Sequence, residues 1–211
     1  MNASNRSYSQ LAYPIAMTAI PHAPRKQARQ ARARATQTAI IEAAARILEG
    51  NGRDGLTTNR VADRAGVSIG SLYQYFPNKE AIVAALLRRE REALLSRIRE
   101  ISAAANDPMA AVSALVDAAM EHQFARPKLA LELEYLEASL GIEAEAAELS
   151  QQVAEEILAV VRMLKPEADL CIARDAVAIC KAIANSAALS GKAEQAKISA
   201  RLHKAVLGYL R

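Results

Sequence analysis

Residues 56–79 read LTTNRVADRAGVSIGSLYQYFPNK, and this stretch decides the fold of its part of the chain. Thr57 is a good N-cap, because its hydroxyl can accept a hydrogen bond from a free N–H group at a helix start. Gly66 can adopt the positive φ at which helices often end, and Ser68 can cap a second helix. Pro77 stops that second helix. The pattern predicts two short helices joined by a sharp turn.

The second helix, predicted over Ser68–Tyr75, carries small, polar and aromatic side chains where a core-facing helix would carry aliphatic ones. Leu72 and Phe76 are expected to pack inward against Val61 and Ala65 of the first helix. Two helices joined by a short turn that contains glycine form a helix-turn-helix, whose second helix reads base edges in the DNA major groove. The residues left to face DNA are Ile69, Gly70, Ser71, Tyr73 and Gln74.

The outward residues of this helix suit contacts with DNA. Gln74 can pair with adenine through two hydrogen bonds, a serine hydroxyl can bond several base edges, and Ile69 can touch a thymine methyl group. Tyr73, Tyr75 and Lys79 are better placed for phosphates, which position a protein on the duplex. The alternative for Ile69 and Tyr73 is that both are half-buried packing residues.

This part of the chain resembles the DNA-binding domain of the TetR family of bacterial repressors. The resemblance runs from Arg34 to roughly Leu95 and rests on GLTT, AGVS, LYQYF and PNKE at these spacings. It implies that Thr58, Asn59 and the second helix meet the operator, with Lys79 on a phosphate. Family members commonly carry a positively charged residue at or near the position of Asn59. Whether Asn59 contacts a base is therefore left undecided by the resemblance. The expected DNA contacts are Arg34, Thr57, Thr58, Asn59, Ser68, Ile69, Gly70, Ser71, Tyr73, Gln74, Tyr75 and Lys79.

The charge distribution separates a basic half of the chain from an acidic half. Residues 1–100 contain 16 lysines and arginines against 8 acidic residues, whereas residues 101–211 contain 11 against 15. A basic half is typical of a nucleic-acid-binding region. Apolar residues make up 52% of the chain and aromatic residues 4%, so alanine and leucine must fill the core. We expect an all-α fold of about nine helices, three of which begin at Pro108, Pro127 and Pro166.

Three regions are expected along the chain. Residues 1–33 form a disordered basic arm, residues 34–95 the helix-turn-helix domain, and residues 96–211 a helical domain for effector binding and dimerisation. The arm either follows phosphates, enters the minor groove, or is a solvated tail. The basic run in which the arm ends consists of Arg25, Lys26, Arg29 and Arg32 and continues into the next region with Arg34.

The resemblance implies a homodimer. TetR-family proteins dimerise through a four-helix bundle made by their last long helices, and a two-fold dimer implies a palindromic operator. Small residues on the penultimate helix allow close approach, and the last helix has an apolar stripe. The alternative is that these stripes close the core of the monomer. The expected interface residues are Ile183, Ala187, Ile198, Leu202, Val206 and Tyr209.

The resemblance also implies an effector pocket among the middle helices, where a small molecule releases the DNA. We expect a small apolar or amphipathic effector, because methionine and aromatic side chains suit adaptable apolar ligands. The alternative is that these side chains are ordinary core. The expected lining residues are Met120, Phe124, Tyr135, Leu136 and Met163.

Other chemistry is sparse. Cys171 and Cys180 lie nine residues apart on one predicted helix, about 13 Å along its axis, which is too far for a disulfide. Two unpaired thiols fit a reducing cytoplasm. The three histidines have no metal-ligand spacing, and no phosphate loop or nucleophile motif occurs. We therefore expect no enzyme, no cofactor, no metal site and no membrane span.

Three classes of function fit these observations. The first, which we expect, is a cytoplasmic, sequence-specific transcriptional repressor released from its operator by a small-molecule effector. The second is an architectural or division-control DNA-binding protein of the same fold, with a protein partner instead of a metabolite. The third is a small-molecule-binding or catalytic helical protein whose basic end does not bind DNA.

Overall fold

The structure is a computed structural model that describes residues 25–141, 143–186 and 192–210. Over these ranges it contains helices and no β-strand, so the expected all-α fold of nine helices is confirmed. One turn of 3₁₀ helix, Arg53–Gly55, separates the first two α-helices. The helices are α1 (Arg25–Asn51), α2 (Thr58–Ala65), α3 (Ile69–Tyr75), α4 (Lys79–Ala104), α5 (Pro108–Ala125), α6 (Pro127–Leu140), α7 (Glu143–Leu164), α8 (Leu170–Asn185) and α9 (Lys192–Leu210).

The helix-turn-helix pair, α2 and α3, begins and ends at its capping residues. The Thr57 hydroxyl oxygen accepts a hydrogen bond from the Arg60 N–H at 3.3 Å, and the Ser68 hydroxyl accepts one from the Ser71 N–H at 3.1 Å. Gly66 ends α2 with φ +69°. A side chain rarely adopts that backbone conformation, whereas glycine does so without strain. The predicted boundaries of both helices are therefore confirmed.

A first hydrophobic cluster holds the helix-turn-helix pair against α1, the start of α4, and α6. Leu72 is fully buried in this cluster together with Phe76 and Val61, and Ala65 packs against it, as predicted. Helix α6 adds leucines from the C-terminal part of the sequence, namely Leu129, Leu133 and Leu136.

A second hydrophobic cluster fills the space between α4, α5, α7, α8 and α9. Helix α4 joins the two clusters, because Leu87 is buried in the first and Leu95 in the second. It continues without a break through residue 95, where the sequence suggested a boundary between two domains. Within the described ranges, no helix is both long enough and apolar enough to cross a membrane.

The prediction of a disordered arm is wrong for residues 25–33, because α1 begins at Arg25. This segment reads RKQARQARA, which contains strong helix formers and neither proline nor glycine. It can therefore extend the core-packed part of α1 into solvent without a nucleation cost. Residues 1–24 of the predicted arm lie outside the described residues.

The three prolines differ in their relation to helix starts. Pro108 and Pro127 occupy the first turns of α5 and α6, as expected. Pro166 does not open α8, which begins at Leu170 instead. The carboxylate of Asp169 accepts a hydrogen bond from the Ile172 N–H at 3.1 Å and caps the helix there.

Candidate functional site

Helix α3 presents a polar and aromatic face to solvent above a buried anchor. Leu72 is completely buried, whereas Tyr73 is 51% exposed and Ile69 is 38% exposed. Gln74 and Gly70 are also exposed. The alternative that Ile69 and Tyr73 are packing residues is therefore not favoured.

One hydrogen bond joins the two helices of the motif on this outer face. The hydroxyl oxygens of Thr58 and Tyr73 lie 3.1 Å apart, and either group can be the donor. Thr58 is the first residue of α2, and its neighbour Asn59 is exposed. The start of α2 and the outer face of α3 thus form one continuous surface.

Four of the expected contact residues either have hydrogen-bond partners within the protein or are half-buried. The hydroxyls of Ser71 and Ser68 lie 2.8 Å apart, and Ser68 also caps α3, so both serines have partners without DNA. Tyr75 is half-buried and packs its ring against the first cluster. Lys79 is half-buried at the start of α4, where Asn78 accepts a hydrogen bond from the Ala81 N–H at 2.8 Å.

The N-terminal extension of α1 carries basic side chains that are open to solvent. Arg29, Arg32 and Arg34 are exposed, and the segment is helical. An α-helix with its side chains is roughly 10–12 Å across, whereas the minor groove is about 6 Å wide. Residues 25–33 in this form therefore fit phosphates along the outside of a duplex and do not fit into the minor groove.

A cavity of about 370 Å³ lies between α4, α5, α6, α7, α8 and α9. Six helices contribute to its wall, including α6 of the first cluster. Most of the wall is aliphatic: Leu87, Leu94, Ile98, Val112, Leu115, Val116, Leu129, Leu133, Val153, Ile157, Val161, Val177, Leu202, Val206 and Leu210.

None of the five residues expected to line an effector pocket lies on the wall of this cavity. Met120 is buried in the second cluster, and Phe124 packs against the same cluster. Leu136 is buried in the first cluster. Met163 is 47% exposed, and the ring of Tyr135 covers the Arg53 guanidinium at 3.8 Å on the surface. The large, flexible side chains fill space or lie on the surface, whereas branched aliphatic residues line the empty space.

The charged side chains on the cavity wall are joined in ion pairs. Arg91 Nη2 lies 2.6 Å and 2.7 Å from the two carboxylate oxygens of Glu137, and Lys181 Nζ lies 3.0 Å from Glu134. Glu90 is paired with Arg89 at 2.7 Å. Arg91 Nη1 is buried and has no hydrogen-bond partner among the described residues.

Arg126 lies on the cavity wall and also contacts α1. Its Nε and Nη2 atoms each lie 2.6 Å from a carboxylate oxygen of Glu49, and Nη1 lies 3.3 Å from Glu42. The hydrogen bond from Arg126 is the main reason why the pKa of Glu49 is lowered. The same bond raises the pKa of Arg126. Burial raises the pKa of Glu42, but hydrogen bonds from Arg46 and Arg126 outweigh it and the net shift is downward.

The helix-turn-helix region matches the model of the bacterial regulatory proteins of the tetR family over residues 40–86. This segment contains the second half of α1, the 3₁₀ turn, α2, α3 and the start of α4. The DNA-binding unit of this chain is therefore similar to that of TetR-family regulators.

Curated relatives match part of the chain at moderate identity. The chain is 35% identical over 85 residues to the transcriptional repressor KstR2 of Rhodococcus jostii, a match that covers 40% of this chain and 42% of KstR2. It is 34% identical over 71 residues to the regulator UidR of Escherichia coli, covering 34% and 36% of the two chains. The nucleoid occlusion factor SlmA of Haemophilus ducreyi is 39% identical over 75 residues, or 36% of each chain. The chain therefore spans less than half the length of these relatives.

Solved structures extend the likeness to the whole fold. The fatty acid degradation regulator FadR from Bacillus halodurans superimposes with a TM-score of 0.72 and 20% identity, covering 83% of this chain and 96% of that one. The regulator PfmR from Thermus thermophilus gives a TM-score of 0.67 with 17% identity, covering 80% and 97%. At these identities the comparison shows a shared TetR-family fold only.

Three of the residues expected at a TetR-family dimer interface are used inside the monomer. Ile198, Leu202 and Val206 are buried within a single chain, and the last two line the cavity. Ile183 is half-buried and packs against the second cluster. The apolar stripe of α9 closes the core of its own chain, so Ile198, Leu202 and Val206 have no surface left for the expected interface, whereas the role of Ile183 stays a prediction.

The other two interface residues have different outcomes. Tyr209 remains on the outside, 40% exposed, with its hydroxyl donating to Asp175 at 2.6 Å. Ala187 lies outside the described residues. Ala178 and Ala182 of α8, which are among the small residues expected to allow close approach of another helix, are exposed. Small exposed residues that had been given no such role are Cys171 of α8 and Ala200 and Gly208 of α9.

Proposed function

We propose that this protein is a homodimeric transcriptional repressor that binds a palindromic operator and is released by a small molecule bound in the cavity. The observation that carries the proposal is the exposed face of α3. Ile69, Tyr73 and Gln74 are exposed, whereas Leu72 of the same helix is fully buried. Ser68 caps the start of this helix directly after the turn. This arrangement offers base-reading side chains on a rigid support.

Helix α6 supports a link between the cavity and the DNA-binding unit. Leu129 and Leu133 line the cavity and are also buried in the first cluster. Arg126 lines the cavity and holds Glu49 of α1. The carboxylate of Glu132 accepts a hydrogen bond at 3.1 Å from the backbone N–H of Arg53, just before α2. A ligand that moves α6 therefore acts on the elements that position α2 and α3.

The outer faces of α8 and α9 support the dimer. The small residues Ala178 and Ala182 are exposed four residues apart on α8, and Ala200 and Gly208 are exposed eight residues apart on α9. Small side chains let helices of two chains approach closely. If a two-fold axis passes through this face, the dimer presents two α3 helices to the DNA. Their half-sites are then separated by one helical turn of DNA or by a whole number of turns.

Selection of bound fragments from genomic DNA, followed by affinity measurement at fixed salt, tests the proposal. The full chain is expected to enrich a palindromic site. Gln74→Ala is expected to weaken binding to that site by about 1–3 kcal/mol without loss of helix content, because one base contact is removed. The control is Gln151→Ala on α7, a change of the same type away from α3, which leaves affinity unchanged. Failure to enrich any DNA would contradict the proposed function.

A second candidate is suggested by the likeness to the nucleoid occlusion factor SlmA. In that case the chain would bind DNA and hold a protein partner on its helical bundle. The cavity supports the first candidate, since it is lined by the same helix that packs against α1. Loss of operator binding on addition of a cavity ligand distinguishes the two, because a protein partner needs no such release.

A further inference from the structure

We propose that the cavity takes an uncharged ligand with an apolar body and a single hydrogen-bonding group, and that His122 binds that group. This inference rests on the proposed function, because it names the class of effector for the same cavity. Neither the fold nor the volume of the cavity determines the charge of the ligand.

The first argument is the balance of charge on the cavity wall. The described lining contains three acidic side chains, Glu90, Glu134 and Glu137, and three basic ones, Arg91, Arg126 and Lys181. Each of the six has an oppositely charged partner within 3.3 Å. The charges of these six groups therefore cancel, and a charged ligand could reach a counter-ion only by competing with an existing pair; the one open donor on this part of the wall, Arg91 Nη1, belongs to a guanidinium that Glu137 already neutralises.

A charged ligand would have to enter at a high cost. It would remain without a counter-ion among aliphatic side chains such as Leu115 and Val161, or it would break an existing pair and strand the partner. The pair between Arg91 and Glu137 shows the second problem, because both side chains are largely buried, with 20% and 17% of their surface exposed. An uncharged ligand avoids both costs.

The polar anchor is His122 of α5. Its side chain lies on the cavity wall and makes no hydrogen bond with any residue in the described part of the chain. Burial lowers the pKa of His122, and the nearby carboxylate of Glu90 opposes that shift without reversing it. The ring is therefore neutral near pH 7 and has one donor and one acceptor nitrogen. A hydroxyl or carbonyl group of a ligand can use either.

Other neutral polar groups on the wall are less suited to this role. Gln123 donates to Asn185 at 2.6 Å and so already has a partner. Burial raises the pKa of Cys180 to about 11, so its thiol stays protonated and is only a weak donor. His122 is the stronger hydrogen-bonding group.

The test uses three probes of matched shape: decanol, decanoate and decylammonium. Isothermal titration calorimetry on the full chain at pH 7 compares their affinities. Decanol is expected to bind at least about tenfold more tightly than either ion, because only the ions must be buried without a counter-charge. Equal or tighter binding of decanoate or decylammonium would overturn the proposal, and so would the absence of decanol binding.

Variants test the anchor separately. His122→Phe keeps the ring volume but removes the hydrogen bond, so its decanol affinity is expected to fall about fivefold. His122→Gln restores a donor and an acceptor and should recover much of the affinity. His203→Phe is the matched control, because His203 lies on α9 outside the cavity wall and pairs with Asp117 at 3.3 Å. An unchanged affinity in His122→Phe would overturn the role of His122.

The outcome can be separated from that of the proposed function. DNA binding is measured on the same protein without any probe. Operator binding without decanol binding overturns the ligand class and leaves the regulator intact. Decanol binding without selection of any DNA supports the ligand class and contradicts the regulator.

Discussion

Arg126 and Glu49 join the cavity wall to the first helix through two contacts of 2.6 Å each. Two guanidinium nitrogens donate to the two carboxylate oxygens in a fork of charge-assisted hydrogen bonds, which are shorter and stronger than neutral ones. Glu42 shares the same guanidinium and is also held by Arg89 at 3.1 Å. One arginine at the start of α6 therefore fixes two turns of α1.

The Arg126 pair makes stability depend on pH in a defined direction. The pKa values of Glu49 and Glu42 are lowered in the folded protein, so their stabilising effect is complete above the ordinary carboxyl value of about 4.5 and is lost as the pH falls through the lowered values. Arg126→Gln is expected to reduce the free energy of unfolding by about 1–2 kcal/mol at pH 7. Urea unfolding at pH 7 and near pH 3 measures the difference between the two proteins.

The control for this prediction is Arg97→Gln, which removes an exposed pair with Glu100 on α4. Its effect at pH 7 should be well below that of Arg126→Gln, because exposed pairs contribute little. A difference between wild type and Arg126→Gln that is the same at both pH values would contradict the role of the carboxylates.

The hydrogen bond between Thr58 and Tyr73 predicts coupled effects on DNA affinity. If it positions the ring of Tyr73, then Tyr73→Phe and Thr58→Val should each weaken operator binding by about 0.5–1.5 kcal/mol. The double variant should bind the operator no more weakly than the single variant that has lost more affinity, since the same interaction is removed in all three. Fluorescence anisotropy with the selected operator measures the cycle. Additive losses would show that the two hydroxyls act on DNA independently.

The helical extension of α1 predicts a change in salt dependence. Arg29 and Arg32 lie three residues apart on one face, and both are exposed. Each phosphate contact that is lost reduces the slope of log affinity against log salt by about 1, so Arg29→Gln with Arg32→Gln should lower it by about 2. The preferred sequence should not change, because phosphates carry no sequence information. An unchanged slope would leave this segment as a solvated helix end.

The local signals of the DNA-binding unit could be predicted from sequence because they act over a few residues. Thr57, Gly66 and Ser68 each fix a helix end through one hydrogen bond or one backbone angle. The inward position of Leu72 follows from its spacing to Phe76. Such interactions depend on neighbours along the chain, so a single sequence contains the information needed to find them.

The cavity and the helix faces around it depend on how distant helices approach one another. Leu94, Leu115 and Val206 line the cavity from three helices, and nothing distinguishes them from core residues in the sequence. The stripe of Ile198, Leu202 and Val206 fits a monomer core and a dimer interface equally well by its spacing. Only the packing of α9 on its own chain decides between them.

The outer face of α8 gives the last prediction, which concerns the dimer. Wild type is expected to be a dimer by light scattering, and Ala178→Arg should be a folded monomer, because a long charged side chain replaces a small exposed one where helices must meet. Affinity for the full palindrome should fall by at least about tenfold, since each monomer then binds one half-site alone. Ala93→Arg, the same change at an exposed position of α4, should keep both the dimer and the affinity. If Ala178→Arg remains a dimer while Ala93→Arg does not, the interface lies on α4 and the assignment to α8 and α9 is wrong.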